Sequence, residues 1–165
     1  MKKLYLVRHA KSSWDEPQQS DFERTLNERG TNDAIAMAKL LHKKNIKPDL
    51  MISSPAKRAL LTSEIFAEQL KYSAENILTD ERIYEATMRD LTSVVRSIDD
   101  KYETVIVFGH NPGLSNFANL LGSEYLPPLP TCAIVGLELS IDSWCAVERY
   151  CGKTFFFEYP KKHVK

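Results

Sequence analysis

The chain reads as a single-domain, three-layer α/β/α protein whose central sheet is mostly parallel, with antiparallel strands added near the C-terminus. Three observations predict this. Short apolar runs near residues 4, 49 and 104 have the length and β-prone content of buried strands. Each ends at a polar junction, and the last two run into a cap-and-proline signal for a helix. After the Pro-rich segment Leu126 to Pro130, alternating or aromatic runs at 133–139, 145–150 and 154–158 suit antiparallel strands, with Gly152-Lys153 as a turn.

Taken in order, Leu4-Tyr5-Leu6-Val7 is the first strand, and residues 11 to 24, with Pro17 and clustered Gln, Ser and Asp, read as a loop. Loops of that length in compact domains tend to be functional. Asn27 is placed to cap a helix from Glu28 to about Lys44, with Ala34, Ala38 and Leu41 on its inner face. Asp49 to Ser53 is a second strand. Ser54-Pro55 then predicts a helix to about Leu70 and puts Arg58 in its first turn. Residues 88–98 are a further helix, and Thr104 to Phe108 is the clearest buried strand. Asn111 as cap and Pro112 as first residue predict a helix to about Leu121, leaving His110 at the junction.

At 165 residues and 43% hydrophobic content, the chain is expected to be one domain with a real core, spanning 1–160, followed by a solvated basic tail at 161–165. Its 22 basic and 22 acidic residues cancel, which argues against the broad cationic face of a nucleic-acid binder. The three cysteines, Cys132, Cys145 and Cys151, lack the number and spacing of a disulfide framework or zinc site and are read as reduced packing residues. Neither a signal-peptide core nor a run of about 18 apolar residues is present, so a cytoplasmic protein off the membrane is expected, as a monomer.

Open α/β sheets bind ligands beyond the carboxyl ends of their strands, and there the sequence delivers Arg8, His9, Arg58 and His110. Taken singly these have bland readings: a surface arginine, a packed histidine. Together, two guanidinium forks and two imidazoles near helix N-termini describe a phosphate pocket with a nucleophile or acid/base. The same set makes a poor metal site, because the arginines repel a cation and no carboxylate lies close in sequence to either histidine. No metal and no other cofactor is called for.

Arg8-His9, Arg58 within Ser-x-x-x-Arg-Ala (Ser54 to Ala59) and Gly109-His110, in this order, resemble the histidine phosphatase superfamily, also called phosphoglycerate mutase-like. The small size, Asp-x-x-Arg-x-Leu-Asn-x-x-Gly (Asp21 to Gly30), Ile83-Tyr84-Glu85, His110-Asn111-Pro112-Gly113 and a late tryptophan look most like its SixA type of phosphohistidine phosphatase. The resemblance implies a phosphoglycerate mutase-like fold and a covalent phosphoryl transfer in which His9 attacks phosphorus. Arg8, Arg58 and His110 would hold the equatorial oxygens, and water would hydrolyse the phosphohistidine. Glu85 matches the acid/base glutamate of relatives with ester substrates. Arg24 and Ser12 are further phosphate-binding candidates, although Arg24 also reads as a structural partner of Asp21. A protonated His110 would bind phosphate better than a neutral one, so the two histidines are expected to titrate differently. Trp14 reads as a pocket-mouth residue or an aromatic over the core edge.

The implied partner is a phosphohistidine protein. Two other readings stay open at this point: a small-molecule phosphomonoesterase or mutase using the same pocket, and a module that binds phosphate or phosphoprotein without turnover.

Overall fold

In the computed structural model, residues 1–16 and 18–163 are described; Pro17 of the predicted loop and the last two residues of the basic tail lie outside them. Six strands form one sheet: β1 (Lys2–Arg8), β2 (Leu50–Ser53), β3 (Leu78–Thr79), β4 (Thr104–Gly109), β5 (Ile134–Leu139) and β6 (Gly152–Glu158), in the order β3-β2-β4-β1-β5-β6. The pairs β2/β3, β2/β4 and β1/β4 are parallel, and β1/β5 and β5/β6 are antiparallel. Helices α1 (Glu28–Lys43) and α2 (Lys57–Leu70) cover one face of the sheet, while α3 (Met88–Arg96) and α4 (Gly113–Leu121) cover the other. The predicted three-layer fold is the observed one.

The two cores follow from strand alternation, since successive side chains of a strand point to opposite faces. Leu4, Leu6, Val105 and Val107 pack toward α3 and α4; Tyr5, Val7, Ile106 and Phe108 pack toward α1 and α2. Both faces of β1 and β4 are therefore covered, which is why their sequences are continuously apolar. Asn27 caps α1 as expected, its side chain accepting the Gly30 N–H at 2.8 Å.

Four expectations need correction. Helix α2 begins at Lys57 rather than at Pro55, because the Ser54 hydroxyl accepts the Ala56 N–H in a preceding turn and Ala56 is the cap. Helix α4 begins at Gly113, and Asn111 does not cap it: the Asn111 amide donates to the Leu129 carbonyl and accepts from Ser115 Oγ instead. Residues 145–150 are not a strand. The Trp144 indole is fully buried and donates to the Tyr102 carbonyl at 2.7 Å, while its backbone N–H donates to Asp100, and these anchors draw Trp144–Ala146 into a 3-10 turn. Gly152-Lys153 belongs to β6, paired with Leu139 and Glu138. The edge strand β3 has only two residues and was not foreseen; periodicity needs a longer run to show.

Of the tail, Lys161–His163 are exposed, yet Lys162 donates to the Phe157 carbonyl and His163 pairs with Glu158 at 2.7 Å. No helix is long and apolar enough to cross a membrane among the described residues.

Candidate active site

Parallel register gathers the site. Arg8 of β1 lies beside Gly109 of β4, and Ser53 of β2 lies beside Phe108, so the three strands finish almost level with β4 in the middle. The ladder continues one residue further, His9 N–H to the Gly109 carbonyl at 3.0 Å and Ser54 N–H to the Phe108 carbonyl at 3.0 Å. His9, Ser54 and His110 are thus the first residues past the strand ends, held by backbone bonds.

The two imidazoles lie with ring centroids 5.2 Å apart, both buried. His9 Nδ1 is 2.8 Å from the Ala10 carbonyl oxygen. A carbonyl only accepts, so Nδ1 carries the proton and Nε2 keeps its lone pair. Arg58 Nε approaches that Nε2 at 3.4 Å. His110 Nε2 is 2.8 Å from Ser54 Oγ, which already accepts the Ala56 N–H. A hydroxyl accepts two bonds and donates one, so this contact is made with the His110 proton on either ring nitrogen. His110 Nδ1 and Arg8 Nε are buried polar atoms with no protein partner. Arg8 is otherwise fixed through Nη1 to the Leu129 carbonyl at 2.8 Å. An unspent guanidinium N–H and an unspent imidazole nitrogen beside the lone pair of His9 suit a tetrahedral oxyanion.

Burial first, and then the neighbouring arginines, push His9 down to about 4; burial, then His9 and Arg58, push His110 down to about 3. Both rings are therefore neutral at pH 7. The two histidines, expected to titrate differently, are both pushed the same way, because protonation at either position would add a positive charge to a buried cluster that already holds Arg8 and Arg58.

The predicted loop closes on itself through a bridge between Ser12 and Leu26 and the bond from Ser13 N–H to the Thr25 carbonyl. Gly30 lets α1 approach it, since a Cβ there would lie 2.0 Å from the Lys11 carbonyl oxygen. Asp21 stands at the outer side of the site. Its Oδ1 accepts Arg24 Nε and Nη2; its Oδ2 accepts Arg58 Nη2 at 3.1 Å and the Tyr84 hydroxyl at 2.7 Å; its carbonyl accepts Arg58 Nη1 at 2.7 Å. Those donors, Tyr84 foremost, hold its carboxyl down at about 2, and the same bond pushes the Tyr84 phenol up to about 12. Arg24 Nη1 also donates to Ser12 Oγ, and the Arg24 guanidinium lies 3.7 Å from the centre of the Trp14 ring. Arg24 and Ser12 are thus brought together next to Asp21, and Trp14 lies at the outer edge, 72% exposed.

Glu85 is exposed, with a positive φ of 55° and no hydrogen-bonded partner for its carboxylate. The residue before it does reach the site: the Tyr84 ring stands edge-on to His110 at 5.6 Å. Segment 83–86 docks closely because Gly113 has no Cβ; one there would lie 2.5 Å from the Ala86 carbonyl oxygen. Sequence reasoning met Asp21 as a partner of Arg24 and within a motif, Ser54 as a cap and within a motif and Tyr84 within a motif, without a role in the site for any of them, and it missed Thr62, whose hydroxyl accepts the Ala10 N–H at 3.1 Å. Asp21 had a signal in its spacing to Arg24; Tyr84 and Thr62 had none. Among the described residues, no group of three or more His, Cys, Asp or Glu side chains is placed to hold a metal ion.

The family model of the histidine phosphatase superfamily (branch 1) matches residues 4–115, and the chain belongs to that superfamily, whose members are phosphatases and mutases. Within it, the fold is that of the SixA proteins. The structure of a candidate phosphohistidine phosphatase SixA from Agrobacterium tumefaciens superposes with a TM-score of 0.80 at 25% identity, covering 96% of this chain and 98% of that one. The protein histidine phosphatase SixA complexed with tungstate superposes with a TM-score of 0.84 over 98% and 99% of the two chains, at 19% identity. Phosphoglycerate mutase 1 of Saccharomyces cerevisiae is 30% identical over 132 residues, 79% of this chain and 50% of the mutase. An uncharacterized chloroplastic protein of Arabidopsis thaliana is 29% identical over 151 residues, 87% of this chain and 69% of that protein.

Proposed function

We propose that this protein is a phosphohistidine phosphatase acting on a phosphorylated protein, with His9 as the nucleophile. The observation that carries the reading is the His9 tautomer: Nδ1 is spent on the Ala10 carbonyl, so the Nε2 lone pair faces Arg58 and the neighbouring His110. In the first step Nε2 forms a bond to phosphorus as the substrate P–N bond breaks, its electron pair going to the departing imidazole nitrogen. The free donors of Arg8 and Arg58 take the equatorial oxygens, where charge spreads in the transition state, and His110 adds a further donor in the tautomer that carries its proton on Nδ1. Water then attacks the phosphorylated His9, loses a proton, and the P–Nε2 pair returns to the ring.

A phosphoramidate substrate suits the position of Glu85. An imidazole leaves as a neutral ring when its distal nitrogen carries a proton from solvent, whereas an alkoxide needs a positioned acid. Glu85 is exposed and, among the described residues, without a hydrogen-bonded partner, the Asp21 carboxylate is ionised and the Tyr84 phenol is tied to it. The SixA likeness points to the same substrate class.

The test is turnover of a phosphohistidine protein against small phosphate esters by wild type, His9→Ala and Glu85→Gln, with mass spectrometry under alkaline conditions that preserve P–N bonds. The reading expects preference for the phosphohistidine protein, a trapped phosphate on His9, and a loss under about threefold for Glu85→Gln on that substrate. Preference for a small ester, with Glu85→Gln crippling its hydrolysis, would instead support the metabolite phosphatase or mutase. Reversible phosphate binding by wild type and His9→Ala alike, without turnover, would make the chain a binding module.

A further inference from the structure

We infer that Tyr84 and Phe22 form an aromatic wall that receives the departing ring of the substrate, selecting planar leaving groups over aliphatic ones; the inference rests on the phosphohistidine reading above. Three rings run outward from the floor of the site. His110 meets the edge of Tyr84 at 5.6 Å and 78°, and Tyr84 meets Phe22 at 5.3 Å and 87°. Phe22 is 40% exposed, in a one-turn 3-10 segment (Asp21–Glu23) that buries none of its residues. The Phe22 ring thus extends the aromatic surface of Tyr84 outward from the cluster of arginines and histidines, where it can meet a bound ring.

Geometry gives the wall its place in the reaction. In-line attack by Nε2 of His9 sends the leaving group out on the far side of phosphorus. His9 lies at the buried strand ends, so that far side faces the exterior, where Tyr84 and Phe22 stand. The wall is also held: the Tyr84 hydroxyl donates to Asp21 Oδ2, and that carboxylate accepts four side-chain donors in all, from Arg24, Arg58 and Tyr84. The acceptor capacity of Asp21 is filled, which makes it a positioning residue that ties the ring of Tyr84 to the guanidinium of Arg58. A flat imidazole gains stacking or edge contacts against such rings, and an amine or alkyl group of the same charge does not.

Two probes with the same scissile bond separate the wall from the chemistry: phosphoimidazole, whose leaving group is the ring, and inorganic phosphoramidate, whose leaving group is ammonia. The readout is the ratio of their kcat/KM values, with circular dichroism confirming each fold. Phe22→Leu is expected to lower kcat/KM for phosphoimidazole roughly five- to tenfold and for phosphoramidate less than about twofold, in line with a single stacking contact. Tyr84→Leu is expected to do the same, and Tyr84→Phe, which keeps the ring, to hold the ratio within about twofold of wild type. Equal losses on both probes, or a ratio that Phe22→Leu leaves unmoved, would overturn the wall while leaving the phosphatase reading intact. Wild type that hydrolyses esters but neither P–N probe would overturn that reading, and the wall with it.

Discussion

The floor and the rim of this pocket are built differently. His9, Ser54 and His110 sit one residue past three strand ends, buried, with the backbone of each held by the sheet ladder or by the turn into the next helix. Asp21, Phe22, Tyr84 and Glu85 come from two connecting segments and are partly or wholly exposed, and the two segments are joined by the bond from the Tyr84 hydroxyl to the Asp21 carboxylate. Catalysis of phosphoryl transfer rests mainly on fixed positions and charge neutralisation, which a floor of this kind supplies. Recognition of the leaving group falls to the rim, whose side chains can change without disturbing the sheet.

Breaking the floor should cost most. His9→Ala is expected to reduce turnover by at least about a thousandfold and to abolish trapped phosphate, as measured by phosphate release and by mass spectrometry. Residual turnover within tenfold of wild type would contradict a floor that carries the chemistry. Breaking the hub of the rim should cost less. Asp21→Ala frees Arg58, Arg24 and Tyr84 together, with an expected loss of about ten- to thirtyfold in kcat/KM. An independent optical readout accompanies it: the Tyr84 phenolate should appear near its ordinary pKa of 10 rather than about 12 when followed by ultraviolet absorbance against pH.

The pH dependence of stability sharpens the contrast further. His9 and His110 titrate near 4 and 3 in the folded protein and near 6.5 when unfolded, so the unfolded chain binds more protons in between. Their contribution is fully present above pH 6.5 and is lost as pH falls toward the folded values. Urea denaturation should show wild type losing on the order of 5 kcal/mol more between pH 7 and pH 4.5 than a His9→Asn/His110→Asn variant. Equal slopes would place the two rings in a wetter site than the one described. The smallest expected effect belongs to Glu85→Gln, whose exposed carboxylate makes no hydrogen bond among the described residues: stability within about 0.5 kcal/mol of wild type by the same titration.

How much of this was legible in the sequence follows the same division. Apolar runs announced β1, β2 and β4, and the residues just past β1 and β4 named His9 and His110 as part of the floor, because a strand must stop where burial stops. The caps were harder. Ser54 and Asn111 carry the residue types of helix caps, yet one bonds a histidine and the other a distant carbonyl, choices made by partners that arrive through the fold. The buried Trp144 overrode the strand-like pattern around it for a similar reason: its indole N–H needed an acceptor, and the Tyr102 carbonyl supplied one.

The sequence by itself determined the α/β alternation, the two core faces and the four cationic or nitrogen-bearing side chains at strand ends, since each depends on local order and hydrophobic period alone. Only the tertiary structure decided which nitrogen of His9 holds a proton, that both rings are neutral, and that Asp21 joins Arg58 to Tyr84. The neutral rings depend on desolvation and the Asp21 hub on partners 37 and 63 residues away, and no local pattern encodes either.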